Sequence, residues 1–306
     1  MSVLSKPYFH DEAKAFEYLE SILWADGIVC PHCGVVGGRV YALEGKSTRI
    51  GLKKCGECRK QFTVKVGTVF EHARMPLHKM LQAVYLMTSS KKGISAHQLH
   101  RVLEVTYKTA WFLAHRIREA MRSGELAPFG GEGGVVEVDE TFIGRKEGGK
   151  VRRGFHHKVA VLSLVHRESG QCRSFVIDKA DRETIIPIVM KNVERETYIM
   201  TDEAAFYHKQ FRDVFLGHGR VAHTRGEYGR GRIHTNTVEG YYSIFKRGMK
   251  GVYQHCSEKH VHRYVAEFDF RYNNREATGC DDGQRSVQAL RGISGKRLLY
   301  ADSLAA

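Results

Sequence analysis

No window of the 306-residue sequence approaches the run of about 18 apolar residues that a membrane span needs, and its first ten residues lack the apolar core of a signal peptide. The first absence excludes a membrane-spanning helix, and the second makes a cytoplasmic location the expectation. Negative charge is also scarce: 34 Asp and Glu face 48 Lys and Arg, a formal net charge of +14, with a sequence pI near 9.5. An excess of that size points to a polyanionic partner. It is spread among apolar-periodic segments and not gathered in a tail, which favours nucleic acid over a membrane surface. A hydrophobic content of 42% excludes a disordered chain and suffices for two or three small domains. Cysteines number only 7, four of them in two-residue-gap pairs, Cys30/Cys33 and Cys55/Cys58, with Cys172, Cys256 and Cys280 isolated. In a reducing compartment that pattern reads as metal binding, not as disulfides.

The two pairs are separated by 21 residues, enough for a β-hairpin excursion. Four thiolates so spaced make a tetrahedral zinc site with no open position, hence a structural one. A thioredoxin-like redox pair is disfavoured because there are two pairs and no βαβ pattern around them. Short strands such as 61–65 suggest a zinc ribbon, with Lys53, Lys54, Arg59, Lys60 and Lys65 forming a basic surface for DNA phosphates or for a protein partner. An amphipathic helix over 9–25 precedes it, so residues 1–70 are expected to form a short helix plus zinc ribbon.

From Pro76 the periodicity is helical, with Leu77, Met80, Leu81, Val84, Tyr85 and Met87 on one face. Helices over 95–103 and 107–122, joined by the turn Glu104-Val105-Thr106, have helix-turn-helix grammar, set against an ordinary linking bundle. In the first reading 71–128 is a DNA-binding region whose last helix offers Tyr107, Lys108 and Thr109 to base edges, with Arg116 and Arg118 further along. Glycines 130, 131, 133 and 134 mark a linker and a domain boundary.

Beyond the linker the pattern changes to strands: 135–143, 157–166 and 172–178, the first two joined by a basic, Gly-rich turn over 145–154. A helix over 182–193, a strand over 197–201, a helix over 203–215 and a short strand over 220–223 lead through a basic loop into residues 234–255. There Val238, Tyr242, Phe245, Met249 and Val252 make an apolar stripe, while Asn236, Glu239, Ser243, Lys246 and Lys250 recur on another side. Glu239 and Lys246 stand two turns apart, roughly 10 Å, far enough for one to hold a metal and the other a phosphate. The same residues also fit a capping box, with Asn236 as cap and Glu239 reaching back. Asp139 lies within a hydrophobic strand and Asp202 follows one. Each alone is compatible with a solvent-facing or helix-capping role. Together with Glu239, the order of elements is that of a ribonuclease H-like fold whose carboxylates converge at the sheet edge. The expected class is therefore an α+β and α/β multidomain protein: zinc ribbon, helix-turn-helix-like helical region and, over 129–306, a ribonuclease H-like catalytic domain. Three carboxylates without neighbouring His or Cys suit Mg2+ or Mn2+. Two such ions roughly 4 Å apart can activate a water or a 3′-hydroxyl and stabilise the leaving oxygen.

The ribbon, the segments Gly93-Ile94-Ser95-Ala96 and Tyr107-Lys108-Thr109-Ala110-Trp111, then Val138-Asp139-Glu140-Thr141, Thr201-Asp202 and His234-Thr235-Asn236-Thr237-Val238-Glu239-Gly240, resemble the ISXO-type DDE transposases of prokaryotic insertion sequences. The likeness covers nearly the whole chain, including the 36 residues between Asp202 and Glu239. It implies that Asp139 and Asp202 are metal ligands and that Lys246 is the lysine downstream of the third. Members with Asn in the third role exist, and both Glu239 and Asn236 are on offer. Glu239 is favoured, because an anionic oxygen binds Mg2+ better, leaving Asn236 to orient a neighbouring group or the DNA. Arg232, His234 and Lys250 are expected phosphate contacts. The implied partners are double-stranded DNA, as terminal inverted repeats and target, and further copies of the chain in a homodimer or larger assembly, in a cytoplasmic, nucleoid-associated setting. The rival expectations are a DNA-binding regulator with a relic catalytic domain and a metal-dependent nuclease that does not join ends.

Overall fold

Residues 2–124, 126–148, 154–202, 208–221 and 231–301 are described by the computed structural model. Helix α1 (Glu12–Leu23) starts where Asp11 accepts the Lys14 N–H at 2.8 Å, and buries Ala15, Phe16 and Leu19. Strands β1 (Val40–Ala42), β2 (Lys53–Cys55) and β3 (Gln61–Phe62) follow as a small antiparallel sheet in the order β1-β2-β3. Then come α2 (Leu77–Ser89), α3 (Ala96–Leu103) and α4 (Tyr107–Met121). Ser95 caps α3, Glu104 ends it in the left-handed region at φ 53°, and Thr106 caps α4. Pro76 has no side chain with which to cap α2, and Glu12 of α1 takes its place. Its Oε1 accepts the Leu77 N–H (2.7 Å) and its Oε2 the His78 N–H (3.1 Å). Replacing Glu12 with Ala should cost about 0.5–2 kcal/mol, read as a lower urea midpoint at unchanged m-value.

A second group of elements begins with β4 (Val135–Ile143), β5 (Val159–His166), β6 (Cys172–Ile177), α5 (Arg182–Asn192), β7 (Tyr198–Thr201), α6 (His208–Val214) and β8 (Gly217–Arg220). It ends with α7 (Asn236–Gly248), a π-type turn at Met249–Tyr253, and α8 (Val261–Asn273). The sheet order is β6-β5-β4-β7-β8, with β4, β7 and β8 parallel and β5 and β6 antiparallel to their neighbours. Strand alternation divides the core. Val136, Val138, Ala160, Leu162 and Leu164 pack with Ile185, Val189 and Phe211 of α5 and α6. On the other face, Ile143, Val159, Val161 and Val165 pack with Val238, Tyr241, Tyr242 and Phe245 of α7 and with Val265 and Phe268 of α8. Parts of the expected 145–154 turn, of the 203–215 helix and of the 220–223 strand, and the basic loop, fall at 149–153, 203–207 and 222–230, outside the described residues.

Helix α9 (Asp282–Arg291) changes the expected division of the chain. Contacts gather it into two units, one of residues up to Arg122 plus those from Cys280 onward, the other Ser123–Gly279. The domain expected over 129–306 therefore stops at Gly279, and the ribbon and helical region expected as two domains share one unit. The reason is an apolar one: α9 buries Ala289 and Leu290, Ile293 is wholly buried, and the Val69 N–H bonds the Ile293 carbonyl at 3.0 Å. Arg285, itself buried, donates to the Thr88 carbonyl at the end of α2 (3.0 Å). Among the described residues no helix is long and apolar enough to cross a membrane.

Candidate active site and metal centre

The two cysteine knuckles meet. Cys30 and Cys58 stand with sulfurs 3.7 Å apart, Cys33 and Cys55 likewise 3.7 Å, and all four sulfurs lie within 4.8 Å of one another. A tetrahedron of thiolates at a Zn–S distance of about 2.3 Å has edges of about 3.8 Å, so the donor set and its spacing fit Zn2+. Burial opposes ionisation of Cys30. The backbone N–H groups of His32 and Cys33, with the thiols of Cys33 and Cys58, outweigh it and bring the Cys30 pKa down to about 6. Cys33 moves the opposite way: the Val35 N–H favours its thiolate, but burial and the sulfurs of Cys30, Cys55 and Cys58 outweigh it and push it up to about 12. The four sulfurs thus hold protons in common until a cation displaces them.

In the second unit the parallel ladder pairs Val135 with Tyr198 and Glu137 with Met200. Carried on by two residues, that register sets Asp139 beside Asp202, on strands about 4.8 Å apart. Asp139 is partly buried, and its carboxyl is pushed up to about 8. Burial is the largest cause, followed by the charges of Glu140 and Asp202, with Glu239 adding to them; the Glu140 N–H, donating to Asp139 Oδ1 at 2.8 Å, works the other way. Asp139 therefore senses both other expected carboxylates. Hard oxygen donors whose charges bear on one carboxyl in this way fit a divalent cation of the Mg2+ or Mn2+ kind.

Glu239 reaches this place on α7. The apolar stripe holds through Val238, Tyr242, Phe245 and Met249, with Tyr241 also buried, while Asn236, Glu239 and Lys250 are exposed and Lys246 half-buried. The capping-box alternative is not the arrangement found. Thr235, not Asn236, precedes the first helical residue, and its hydroxyl donates to Glu239 Oε1 at 2.8 Å. The amides at the helix start bond instead to a residue the sequence reading passed over. Glu137 Oε2 accepts the Thr237 and Val238 N–H groups, each at 2.9 Å, and Oε1 accepts the Thr237 hydroxyl at 2.8 Å. Four residues after Val238 on α7, the Tyr242 hydroxyl donates to the carbonyl of Asp139 at 2.5 Å. A signal for Glu137 was present: it shares strand parity with Asp139 and is a charged residue between valines in a strand read as apolar.

The expected DNA contacts divide. Tyr107, Lys108 and Thr109 are exposed at the start of α4. Tyr107 stacks on His97 with centroids 4.4 Å apart, and the Lys108 ammonium lies 4.5 Å from the Tyr300 ring. Arg116 must be corrected. It is buried, 8% exposed, with its guanidinium 4.6 Å over the Phe112 ring, because the helix turns this side into the unit; Arg118, at 2% exposure, is buried too. Arg232 and Lys250 are exposed. His234, expected at phosphate, instead faces inward: its Nδ1 lies 3.2 Å from Glu137 Oε1 and 3.0 Å from Arg167 Nη2.

Residues 132–273 match the ISXO2-like transposase domain, and residues 10–61 match the transposase zinc-ribbon domain. Over these two segments the chain is similar to ISXO2-like transposases and to the zinc ribbon of transposases. Among curated relatives, it is 29% identical over 280 residues to an uncharacterized protein in the transposable element ISH50 of Halobacterium salinarum, covering 86% of this chain and 91% of the relative. A chain in the cryo-EM structure of a simian T-cell lymphotropic virus intasome in complex with the PP2A regulatory subunit B56 gamma is similar at 14% identity and a TM-score of 0.30. That likeness spans 62% of this chain and 65% of the other, and is too slight to define a fold.

Proposed function

We propose that this chain is a DDE-type DNA transposase that binds the terminal inverted repeats of its insertion sequence, cuts the 3′ ends and joins them to target DNA. The observation that carries this reading is the meeting of Asp139 with the charges of Asp202 and Glu239. The sheet order β6-β5-β4-β7-β8 supports a ribonuclease H-like domain, since it sets the ends of two parallel central strands, and so the two aspartates, side by side. Asp139, Asp202 and Glu239 would hold the divalent cations, and a cation there supplies activation of the attacking hydroxyl and charge stabilisation of the leaving oxygen. Lys246, seven residues after Glu239 on the same helix side, neutralises the phosphate being attacked, while Arg232 and Lys250 extend the positive surface along the DNA backbone. Asn236, at the helix start, is left to meet the DNA or to orient a neighbour. Tyr107, Lys108 and Thr109 present the end of α4 to base edges, the helix-turn-helix mode, and the four-thiolate zinc stiffens the ribbon beside it. Two element ends must be joined together, so the working form is a dimer or larger.

The test is a labelled duplex from the DNA flanking the gene, incubated with the full chain, Mg2+ or Mn2+ and supercoiled target. Label covalently in the target, lost with EDTA, is the expected result. Cleavage without joined product would make the chain a nuclease. Tight end binding with neither cleavage nor joining would make it a regulator.

A further inference from the structure

Glu137 is wholly buried beside the site and takes no part in the proposed chemistry. An isolated carboxylate in that position would be costly. Here it is fully employed, and every partner belongs to the segment that delivers Glu239 or to Arg167. The Thr237 and Val238 amides and the Thr237 hydroxyl bond to its two oxygens. Arg167 Nε donates to Oε1 at 2.5 Å, and His234 Nδ1 lies 3.2 Å from the same oxygen. Arg167 then spreads over the chain just before α7, donating to the carbonyls of Arg232 (2.7 Å) and His234 (2.6 Å).

The chain positions make this more than a fold contact. Glu137 stands two residues before Asp139 on β4, and its amide partners stand one and two residues before Glu239 on α7. From the other side, Tyr242 closes on the Asp139 carbonyl. One bond set precedes both expected ligands and the other follows Glu239, so strand and helix are pinned on either side of the site. A buried carboxylate at a helix start also matches the positive end of the helix dipole, which favours this single docking of α7 over a slid or rotated one.

We propose that Glu137, held by Arg167, is a positioning residue: it caps α7 from strand β4 and thereby fixes Glu239 against Asp139 for cation binding. The proposal rests on Glu239 being the third ligand. Groups that support a metal ligand typically govern metal affinity by about 10–100-fold. Glu137→Gln keeps the size and one acceptor oxygen but loses the charge and the second acceptor.

The experiment uses the full chain with its zinc in place and Mn2+ as probe, its binding read from the free Mn2+ resonance signal. Glu137→Gln should weaken Mn2+ binding at least about tenfold, while binding of the end DNA is unchanged. Glu239→Ala should weaken it as well, and adding Glu137→Gln to Glu239→Ala should change it no further, because a residue acting through Glu239 has nothing left to position. Thr237→Val removes one bond to Glu137 without stranding a buried charge, and should weaken binding a few-fold in the same direction. It carries the test should Glu137→Gln fail to fold. Unchanged Mn2+ binding in Thr237→Val and Glu137→Gln, or an equal loss from Glu137→Gln with and without Glu239, would overturn the positioning role. If Glu239→Ala alone leaves Mn2+ binding intact, the reading of Glu239 as ligand is what fails, and the proposal falls with it.

Discussion

Asp139→Ala or Asp202→Ala should lower end joining by about a thousandfold or more while leaving binding of the end DNA intact. Each substitution removes a carboxylate from the cation site, and the charge stabilisation that a bound cation supplies is worth several kcal/mol of barrier. End binding survives because the residues proposed for it, Tyr107, Lys108 and Thr109, lie in the other unit. A general loss of structure is not the expected cause, because the Asp139 carboxyl is costly to ionise in the folded chain. Burial first, and the charges of Glu140 and Asp202 next, push the Asp139 carboxyl from its ordinary 3.8 up to about 8. A carboxyl raised on folding costs stability as pH climbs above its unfolded value, and the cost is fully developed above the folded one. Asp139→Ala removes that cost at neutral pH, so its melting temperature should equal or exceed the parent's in metal-free buffer. The check is a joining assay beside a gel-shift and a thermal melt. Joining at the parent rate in either variant would remove that aspartate from the site.

Cys30→Ser, or treatment with a strong zinc chelator, should unfold the ribbon and, because the ribbon shares a unit with α4, weaken end binding, while leaving the Ser123–Gly279 unit folded. The strands of the ribbon are two or three residues long. Their buried cluster is only Cys30, Cys55 and Phe62, with partly buried neighbours such as Trp24 and Val40. A core that small does not offset the conformational entropy of ordering the segment, and in such modules the free energy of metal binding is the folding free energy. One zinc per chain should be found by elemental analysis and lost in Cys30→Ser. Amides of β1 and β2 should then exchange freely with deuterium, whereas β4 and β5, in the centre of the five-stranded sheet, should stay protected. Protection of β1 and β2 in zinc-free protein would show that the ribbon stands on its own packing.

What sequence pattern conveys about this chain is what is local. Two Cys-x-x-Cys pairs announce a metal knuckle because a thiolate tetrahedron needs ligands from two tight turns. Val135 to Ile143 announces a strand by alternation, and residues 236–248 announce an amphipathic helix by the spacing of Val238, Tyr242 and Phe245. The misses are contacts made across the chain. Glu12 caps α2 from 65 residues away and Glu137 caps α7 from 100; neither leaves a mark near the helix it caps. Asn236 and Glu239 have the spacing of a local capping box, yet Glu137 takes the amides, and Glu239 is held by the Thr235 hydroxyl. Arg116, further along α4, reads as a DNA-binding residue because basic residues are mostly exposed, and only the packing around Phe112 shows it inside. The return of α9 to the first unit has the same origin: its apolar residues fit a helix face anywhere, and the choice of partner is tertiary.

The most direct measurement is backbone cleavage by iron placed at the cation site. Full-length protein, zinc-loaded and with Fe2+ in place of Mg2+, is treated with ascorbate and peroxide, and the fragments are sized. Convergence of Asp139, Asp202 and Glu239 on one divalent site predicts cuts near all three positions together, suppressed by excess Mg2+ and lost in Asp202→Asn. Cuts near one position alone, or a pattern unchanged in Asp202→Asn, would contradict it.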